Sequence, residues 1–316
     1  MPDLEYRAMR SGERAGLLDL LEAAFRERDV FVRYLESDPD LRDRDTLLAL
    51  DRSRPVSSVQ IFTKRIRLAG ETVLLGGIGS VATHPDYERN GIASRLLRLA
   101  IDEMERRGML LSLLFTGRIS FYERLGWVQV PYPAWAIHRG GRQEVEQRDF
   151  TDDDLPAVQR LYEAYSDGLE GVTVRDDGYW RAQLRYAGTP GETFRVVERD
   201  GDLVAYARGI ELFGTHQVME YARAPGAATE LAALLVDLAP NDAALLLPRT
   251  PDRDLELELR GLASGLDAIE LPERMWRVLD RTRLLDLAGR TNGDDADLLR
   301  GLVGTERAIY WTSDRF

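Results

Sequence analysis

The six residues from Glu88 to Ala93, with the sequence ERNGIA, could hold an anion. They lead into a stretch whose apolar residues recur at spacings of three and four, which predicts an amphipathic helix that begins near Gly91. The first amides of a helix are unpaired donors with about half a unit of positive charge, so this turn suits a pyrophosphate. Gly91 allows close approach to the backbone, and Arg89 adds positive charge. From these residues alone, a helix start without a ligand is the favoured alternative.

A second glycine-rich stretch lies just upstream, where Gly77 to Ala82 fit the pattern G-x-G-x-x-A of dinucleotide-binding folds. That pattern requires the glycines to open a helix. Here His84-Pro85 follows almost at once, and proline both lacks an amide hydrogen and favours an extended conformation in the residue before it. The sequence therefore argues against a nicotinamide site.

Composition limits the remaining chemistry. The chain of 316 residues has no cysteine and three scattered histidines, which excludes thiol nucleophiles and disulfides and makes a metal site unexpected. Catalysis would have to use hydroxyls, carboxylates, backbone groups or a borrowed cofactor. The net charge of −12 would repel nucleic acid. Of the 42 basic residues only Lys64 is a lysine, a bias that a GC-rich genome explains better than salt adaptation.

Hydropathy gives no sign of a membrane protein. No apolar run reaches the 18 or more residues of a membrane span, and the charged N-terminus lacks the apolar core of a signal peptide. We therefore expect a cytoplasmic protein without a membrane partner.

The elements around the glycine turn predict a βαβ unit. Residues 56–70 alternate polar and apolar, as a strand does, and residues 109–115 are a continuous apolar run typical of a buried strand. The predicted helix lies between them and stops near Gly108. Glycines and charged residues interrupt the periodic apolar pattern near residue 145, which indicates a domain boundary there.

The rest of the chain divides into two further predicted segments. Residues 146–268 contain two helical stretches and two strand-like runs joined at Asp200-Gly201, a good hairpin dipeptide. No turn comparable to that at Gly91 is expected there. Residues 269–316 contain one helix-like piece and end in the partly apolar sequence IYWTSDRF.

Several motifs occur in one order: a strand that ends in Val81-Ala82-Thr83, a His-Pro, the glycine turn, a helix, a buried strand and the sequence FYERLGW. In that order they resemble the GNAT superfamily of acetyl-coenzyme A dependent N-acetyltransferases. The superfamily pattern has arginine or glutamine where this chain has Glu88, and Arg89 comes one position later. The backbone amides of the turn can still bind an anion despite this difference.

Residues 56–85, the sequence FYERLGW and residues 274–286 (RMWRVLDRTRLLD) extend the similarity over more of the chain. They resemble the approach to the cofactor site, the tyrosine element and the entry to the third domain of the enhanced intracellular survival (Eis) branch of these enzymes. The branch joins a cofactor-binding GNAT domain to a degenerate GNAT-like domain and a C-terminal domain similar to a sterol carrier protein. The resemblance implies an α/β (α+β) fold of two tandem GNAT-like domains of mixed sheet with flanking helices, at residues 1–145 and 146–268. Residues 269–316 would be a short C-terminal segment that resembles a truncated sterol-carrier-like domain.

The resemblance also implies roles for individual residues. Tyr122 would be the general acid, and the C-terminal carboxylate of Phe316 would act on the amine. Tyrosine suits the first task, because its reference pKa near 10 keeps it protonated at neutral pH. The alternatives are a core aromatic for Tyr122 and a frayed terminus for Phe316. The strand backbone near Val81 and Thr83 would pair with the pantetheine arm of acetyl-coenzyme A, and the turn would hold its pyrophosphate. The full predicted cofactor-binding set is Val81, Ala82, Thr83, Arg89, Asn90, Gly91, Ile92, Ala93, Ser94, Gly117 and Arg118.

The sequence thus predicts an enzyme that transfers an acetyl group from acetyl-coenzyme A, as co-substrate, to a primary amine. An aminoglycoside, a polyamine and a protein lysine are all compatible with the negative charge, and the resemblance suggests a homo-oligomer. Glu27, Asp29 and Asp314 could attract an amine, but each is interpreted as a solvated surface residue. The alternative function is a non-catalytic acyl-coenzyme A binding or scaffold protein.

Overall fold

The computed structural model describes residues 3–141, 145–186, 191–212 and 214–316. The strands are β1 (Glu5–Ala8), β2 (Thr46–Asp51), β3 (Arg54–Leu68), β4 (Glu71–Thr83), β5 (Leu111–Phe115), β6 (Val128–Gln129), β7 (Tyr132–His138), β8 (Gln147–Asp149), β9 (Thr193–Arg199), β10 (Asp202–Leu212), β11 (Thr215–Arg223), β12 (Leu245–Pro248), β13 (Gly265–Leu271) and β14 (Arg274–Val278). The helices are α1 (Arg14–Phe25), α2 (Arg28–Ser37), α3 (Ile92–Arg106), α4 (Ile119–Glu123), α5 (Leu155–Tyr165), α6 (Asp177–Tyr186), α7 (Ala228–Leu238), α8 (Arg253–Leu262), α9 (Arg281–Leu287) and α10 (Asp295–Val303).

These strands form two seven-stranded sheets of similar construction. The order is β1-β2-β3-β4-β5-β14-β6 in the first sheet and β13-β7-β12-β11-β10-β9-β8 in the second. Each sheet contains one parallel pair, β4 with β5 and β11 with β12, and a helix connects each pair, α3 in the first sheet and α7 in the second. The predicted fold class of two tandem mixed α/β domains is confirmed.

The βαβ unit of the first sheet forms as its sequence pattern predicts. Helix α3 buries the apolar positions that recur at spacings of three and four, and Gly108, with φ of 70°, follows its end. Strand β5 is buried along most of its length, which accounts for its uninterrupted apolar sequence.

Two strands cross the boundaries that the sequence suggests at residues 145 and 268. Strand β7, N-terminal to residue 145, pairs with β12 and β13 in the second sheet. Strand β14 pairs with β5 in the first sheet, where Trp276 lies opposite Leu113. Without β14, β5 would be an edge strand with unpaired backbone groups on the side away from β4. Strand β14 pairs with those groups. Residues 274–278 therefore belong to the first sheet and not to a separate carrier-like unit.

The last residues of the chain pack into the cores of both domains. Ile309 and Trp311 lie in the core of the second domain, whereas Tyr310 lies in a core cluster of the first. This alternation is that of an extended chain between two apolar surfaces. The amide of Ile309 donates to the carbonyl of Glu170, and the nearby amide of Gly171 donates to the carbonyl of Arg67 in β3, each at 2.7 Å. Backbone hydrogen bonds thus connect the tail to the first sheet through residues 170–171.

Among the helices that the structure describes, none is both long enough and apolar enough to cross a membrane.

Replacement of Trp311 by alanine should destabilise the whole protein, because its indole is fully buried in the second core. We expect Trp311→Ala to lower the free energy of unfolding by about 3–5 kcal/mol in urea denaturation followed by circular dichroism. The control is Leu257→Ala, since Leu257 is 69% exposed, and it should change the free energy by less than about 0.5 kcal/mol. Equal midpoints for the two variants would show that the tail is not part of the core.

Candidate active site

The first sheet opens between β4 and β5. The two strands pair only from Leu75 and Leu111 to Gly77 and Leu113. Strand β4 continues for six more residues to Thr83, and within the described ranges no strand pairs with this part on the side of β5. The result is a gap with one free strand edge, suited to an extended ligand that carries amide groups.

A β-bulge lies in this free part of β4. Ser58 pairs with Ala82 and Gln60 with Gly79, so Ser80 and Val81 together face one residue of β3. Ser80 has a φ of 49°, and its carbonyl accepts a hydrogen bond from the hydroxyl of Ser58 at 2.9 Å.

Beyond the bulge, the backbone of Thr83 faces the gap. The amide of His84 donates to the carbonyl of Val56 in β3. Since successive residues of an antiparallel pair alternate in direction, the amide and carbonyl of Thr83 point away from β3. Val81 and Thr83, whose backbone is predicted to pair with pantetheine, are both partly exposed.

The predicted glycine turn follows β4 directly and is open. Gly91 has a φ of 73° and precedes the first residue of α3, and a Cβ atom added there would meet no described atom within 4 Å. No side chain caps the helix, and its first turn contains no acidic residue. The side chain of Asn90 donates to the carbonyls of Tyr87 and Glu88, which stabilises the turn. The amides of Ile92 to Ser94 are thus in the uncapped first turn, where an anion would bind.

Gly117 and Arg118 follow β5 on the other side of the gap. Both are exposed, and the amide of Arg118 donates to the hydroxyl of Thr116 at 2.9 Å. Because β4 and β5 are parallel, the segments after their carboxyl ends lie at the same edge of the sheet. The predicted cofactor-binding residues from the two segments therefore come together there.

Tyr122 lies in the short helix α4 and is 8% exposed. Its ring contacts Phe121 and Trp127 edge to face, with centroids 4.9 and 6.1 Å away. Burial raises the pKa of the Tyr122 hydroxyl to about 12, although the charge of Arg118 opposes this. No described residue forms a hydrogen bond with the hydroxyl, which leaves its proton available.

The side chain of Phe316 packs on glycines of β4. A Cβ atom at Gly77 would lie 2.4 Å from the ring of Phe316, and one at Gly79 would lie 3.4 Å from its carboxyl carbon. The ring stacks on Phe62 at 5.3 Å and contacts Phe115 at 5.6 Å. The carboxyl group of Phe316 therefore lies against the strand that borders the gap, and no described side chain donates a hydrogen bond to it.

Tyr122 and Phe316 approach β4 from opposite faces. Tyr122 packs in the cluster that contains Ile78, Val81 and the apolar side of α3. Phe316 packs on the other face, against Gly77 and with Phe62. The gap connects the two faces, so a ligand that lies in it could meet a proton donor on one side and a carboxylate on the other.

The structure corrects the interpretation of Asp314 as a solvated residue. Its side chain is fully buried, and the guanidinium of Arg175 donates hydrogen bonds to both of its carboxylate oxygens. Glu27 and Asp29 are exposed, as expected.

The second domain also has a turn that the sequence analysis missed. Gly226 comes after β11 and shortly before α7, and its φ of 73° equals that of Gly91. Here, however, Ala227 is fully buried and Glu230 lies in the first turn of the helix. Glu230 already places a negative charge at the helix N-terminus, so this turn is less suited to an anion than that at Gly91.

Comparison with known proteins agrees with this geometry. Residues 5–130 match the model of a family described as an acetyltransferase (GNAT) domain. The matched residues include the turn at Gly91 and Tyr122. The comparison with curated proteins found no match to this chain by sequence.

About nine tenths of the chain has the fold of several solved acetyltransferase structures. It is similar to a GCN5-related N-acetyltransferase from Kribbella flavida, with 19% identity and a TM-score of 0.66 over 90% of this chain and 73% of the other. Eis1 from Mycobacterium abscessus matches with 18% identity and a TM-score of 0.61, over 92% and 77% of the two chains. Saccharomyces cerevisiae N-myristoyltransferase, solved with bound myristoyl-CoA, matches with 12% identity and a TM-score of 0.56, over 87% and 80%. The similarity to Eis1 agrees with the predicted Eis-like fold.

Gly77 and Gly79 in β4 could have indicated from the sequence that another group packs closely on this strand. Sequence analysis used Gly77 and Gly79 only to test for a dinucleotide site. Glycine inside a strand also indicates close approach of another group, and both glycines leave space for Phe316. Which group approaches is not encoded nearby, since Phe316 is more than 200 residues away.

We expect coenzyme A to bind at Gly91 of the first domain and not at Gly226. Gly91→Val should weaken coenzyme A binding at least tenfold, or about 1.4 kcal/mol, because the side chain would obstruct the approach to the helix amides. Gly226→Val is a matched control, since it strains a backbone of the same φ in the other domain. Isothermal titration with coenzyme A measures both. Wild-type affinity in a folded Gly91→Val protein would exclude this site.

Proposed function

We propose that the protein transfers an acetyl group from acetyl-coenzyme A to a primary amine. The observation that carries the proposal is the carboxyl group of Phe316 beside Gly79, at the gap where β4 has lost its strand partner. A protein that only binds acyl-coenzyme A needs the gap and the helix N-terminus but has no use for a carboxylate at this position.

The residues of the first domain would bind and orient the acetyl donor. The uncapped amides after Gly91 would hold the pyrophosphate, and the free edge of β4 at Val81 and Thr83 would pair with the amides of the pantetheine arm. A backbone amide near Val81 would stabilise the negative charge that develops on the thioester oxygen.

Tyr122 would donate a proton to the leaving group, and Phe316 would assist the loss of a proton from the amine. The amine nitrogen forms a bond to the acetyl carbon, the carbon–sulfur bond breaks, and the hydroxyl of Tyr122 gives its proton to the departing sulfur. A carboxylate is a weak base for an ammonium group, and supplying the neutral amine at pH 7 takes about 4.6 kcal/mol. Phe316 would therefore mainly orient the amine or a water that removes its proton.

The acceptor is a small molecule with several amines or a protein lysine in this proposal, in keeping with the net charge of −12. The decisive assay mixes acetyl-coenzyme A with an aminoglycoside, a polyamine or a lysine peptide and follows thiol release. Coenzyme A binding without thiol release for any amine would favour the non-catalytic alternative.

Tyr122→Phe should lower kcat by roughly 10² while coenzyme A affinity stays within about twofold, because only the proton donor is removed. In the wild type, kcat should not decline between pH 7 and 10, since an acid with a pKa of about 12 stays protonated there. Tyr132→Phe is the control, as it removes a buried hydroxyl that binds Glu273 instead. A Tyr122→Phe enzyme with the wild-type rate would leave this residue as a core aromatic.

Addition of two glycines after Phe316 should displace the carboxyl group by up to about 7 Å without change to the packed side chains. We expect kcat to fall at least tenfold with the best amine of the panel and coenzyme A affinity to stay unchanged. The same two residues inserted after Gly12, in an exposed turn, serve as control. An unchanged rate in the extended protein would remove Phe316 from the mechanism.

A further inference from the structure

The tail that carries Phe316 is bound to the second domain by one buried guanidinium. Nε of Arg175 donates to Oδ1 of Asp314 at 2.9 Å, and Nη2 donates to Oδ2 at 2.8 Å. The same Nη2 also donates to Oε2 of Glu220 in β11 at 2.5 Å. All three side chains have no exposure to solvent. A two-point contact of this kind fixes the orientation of the carboxylate as well as its distance.

Other hydrogen bonds restrain the same part of the tail. The hydroxyl of Tyr179 in α6 donates to Oδ1 of Asp314 at 3.1 Å. The side-chain amide of Gln183, also in α6, donates to the carbonyl of Ser313 at 2.9 Å, and the hydroxyl of Tyr310 donates to the carbonyl of Asp314 at 2.8 Å. Both side chain and backbone of Asp314 are therefore held.

Only Arg315 separates this anchored residue from Phe316. Two residues of extended chain span about 7 Å, so the carboxyl group of Phe316 can move little while Asp314 stays bound. On the other side, the ring of Phe316 fits against Gly77 of the first sheet. The binding of Asp314 to Arg175 and the packing of the Phe316 ring together determine where the carboxyl group of Phe316 lies.

The guanidinium of Arg175 keeps its positive charge. Burial tends to lower the pKa of the Arg175 guanidinium, but the carboxylates of Asp314 and Glu220 outweigh it and hold that pKa well above its usual value. The rings of Tyr162 and Trp180 lie 4.2 and 4.3 Å from the guanidinium carbon and limit its movement.

We propose that Arg175 is a positioning residue: through Asp314, the second domain holds the carboxyl group of Phe316 against Gly79 of the first. The inference rests on the proposed function of that carboxyl group. It assigns the second domain a part in catalysis through the position of that carboxyl group.

The first test measures how firmly the tail is held, without any use of activity. Asp314→Asn replaces the two-point contact with a single hydrogen bond, because an amide has one acceptor oxygen. The matched control is Asp252→Asn, since Asp252 accepts hydrogen bonds of 2.8 and 2.6 Å from Arg223 in the same domain and forms no hydrogen bond with a described tail residue. Release of phenylalanine from the folded protein by carboxypeptidase A should be at least tenfold faster in Asp314→Asn, about 1.4 kcal/mol, and within about twofold of wild type in the control. Equal release from the two variants overturns the proposal.

The second test separates positioning from general stability. Asp314→Asn should lower kcat at least tenfold in the natural chain but less than twofold in the chain extended by two glycines, where the carboxyl group is already displaced. An equal loss in both chains means that Asp314 acts on stability alone, which overturns the proposal. If Asp314→Asn does not fold, Tyr179→Phe removes one hydroxyl from the same anchor and takes its place in both tests.

The outcomes also separate this inference from the proposed function. If the extension itself leaves kcat unchanged, the carboxyl group is not catalytic and the proposed function of Phe316 fails, whereas the carboxypeptidase result still decides whether Arg175 holds the tail. If the extension lowers kcat and Asp314→Asn does not, the proposed function stands and the positioning by Arg175 is wrong.

Discussion

Two carboxylates, those of Asp314 and Glu220, share the guanidinium of Arg175 in a place without solvent. Three buried charges are tolerable only while they stay paired, since an isolated ion there would be destabilising by several kcal/mol. Arg175 comes from the segment before α6, Glu220 from β11 and Asp314 from the tail. This cluster therefore couples the folding of the second domain to the path of the last residues, and that path ends at the gap in the first sheet.

The two domains share one βαβ arrangement, but the helix N-terminus differs between them. Each has a parallel strand pair joined by a helix that follows a left-handed glycine, Gly91 in one and Gly226 in the other. The first helix starts uncapped and open, while the second starts beside a buried alanine with Glu230 in its first turn. In the interior of the second domain, Arg175 instead forms a buried ion pair with Asp314 of the tail.

Local features were predictable from sequence, and distant pairings were not. The βαβ unit, the turn at Gly91 and the hairpin at Asp200-Gly201 each depend on neighbouring residues, so their patterns were sufficient. The insertion of β14 beside β5 depends on an edge left by the whole sheet, which no local pattern records. Asp314 was misinterpreted for the same reason: among 54 acidic residues, only the approach of Arg175 distinguishes it.

The place of β14 in the first sheet has a consequence for how the chain folds during synthesis. Its partner β5 precedes it by about 160 residues, so the first domain cannot complete its sheet until residues 274–278 have been made. Until then the backbone of β5 on that side has no strand partner, and such an exposed edge invites pairing with other chains. The newly made first domain is thus exposed to aggregation at β5 until residues 274–278 pair with that strand.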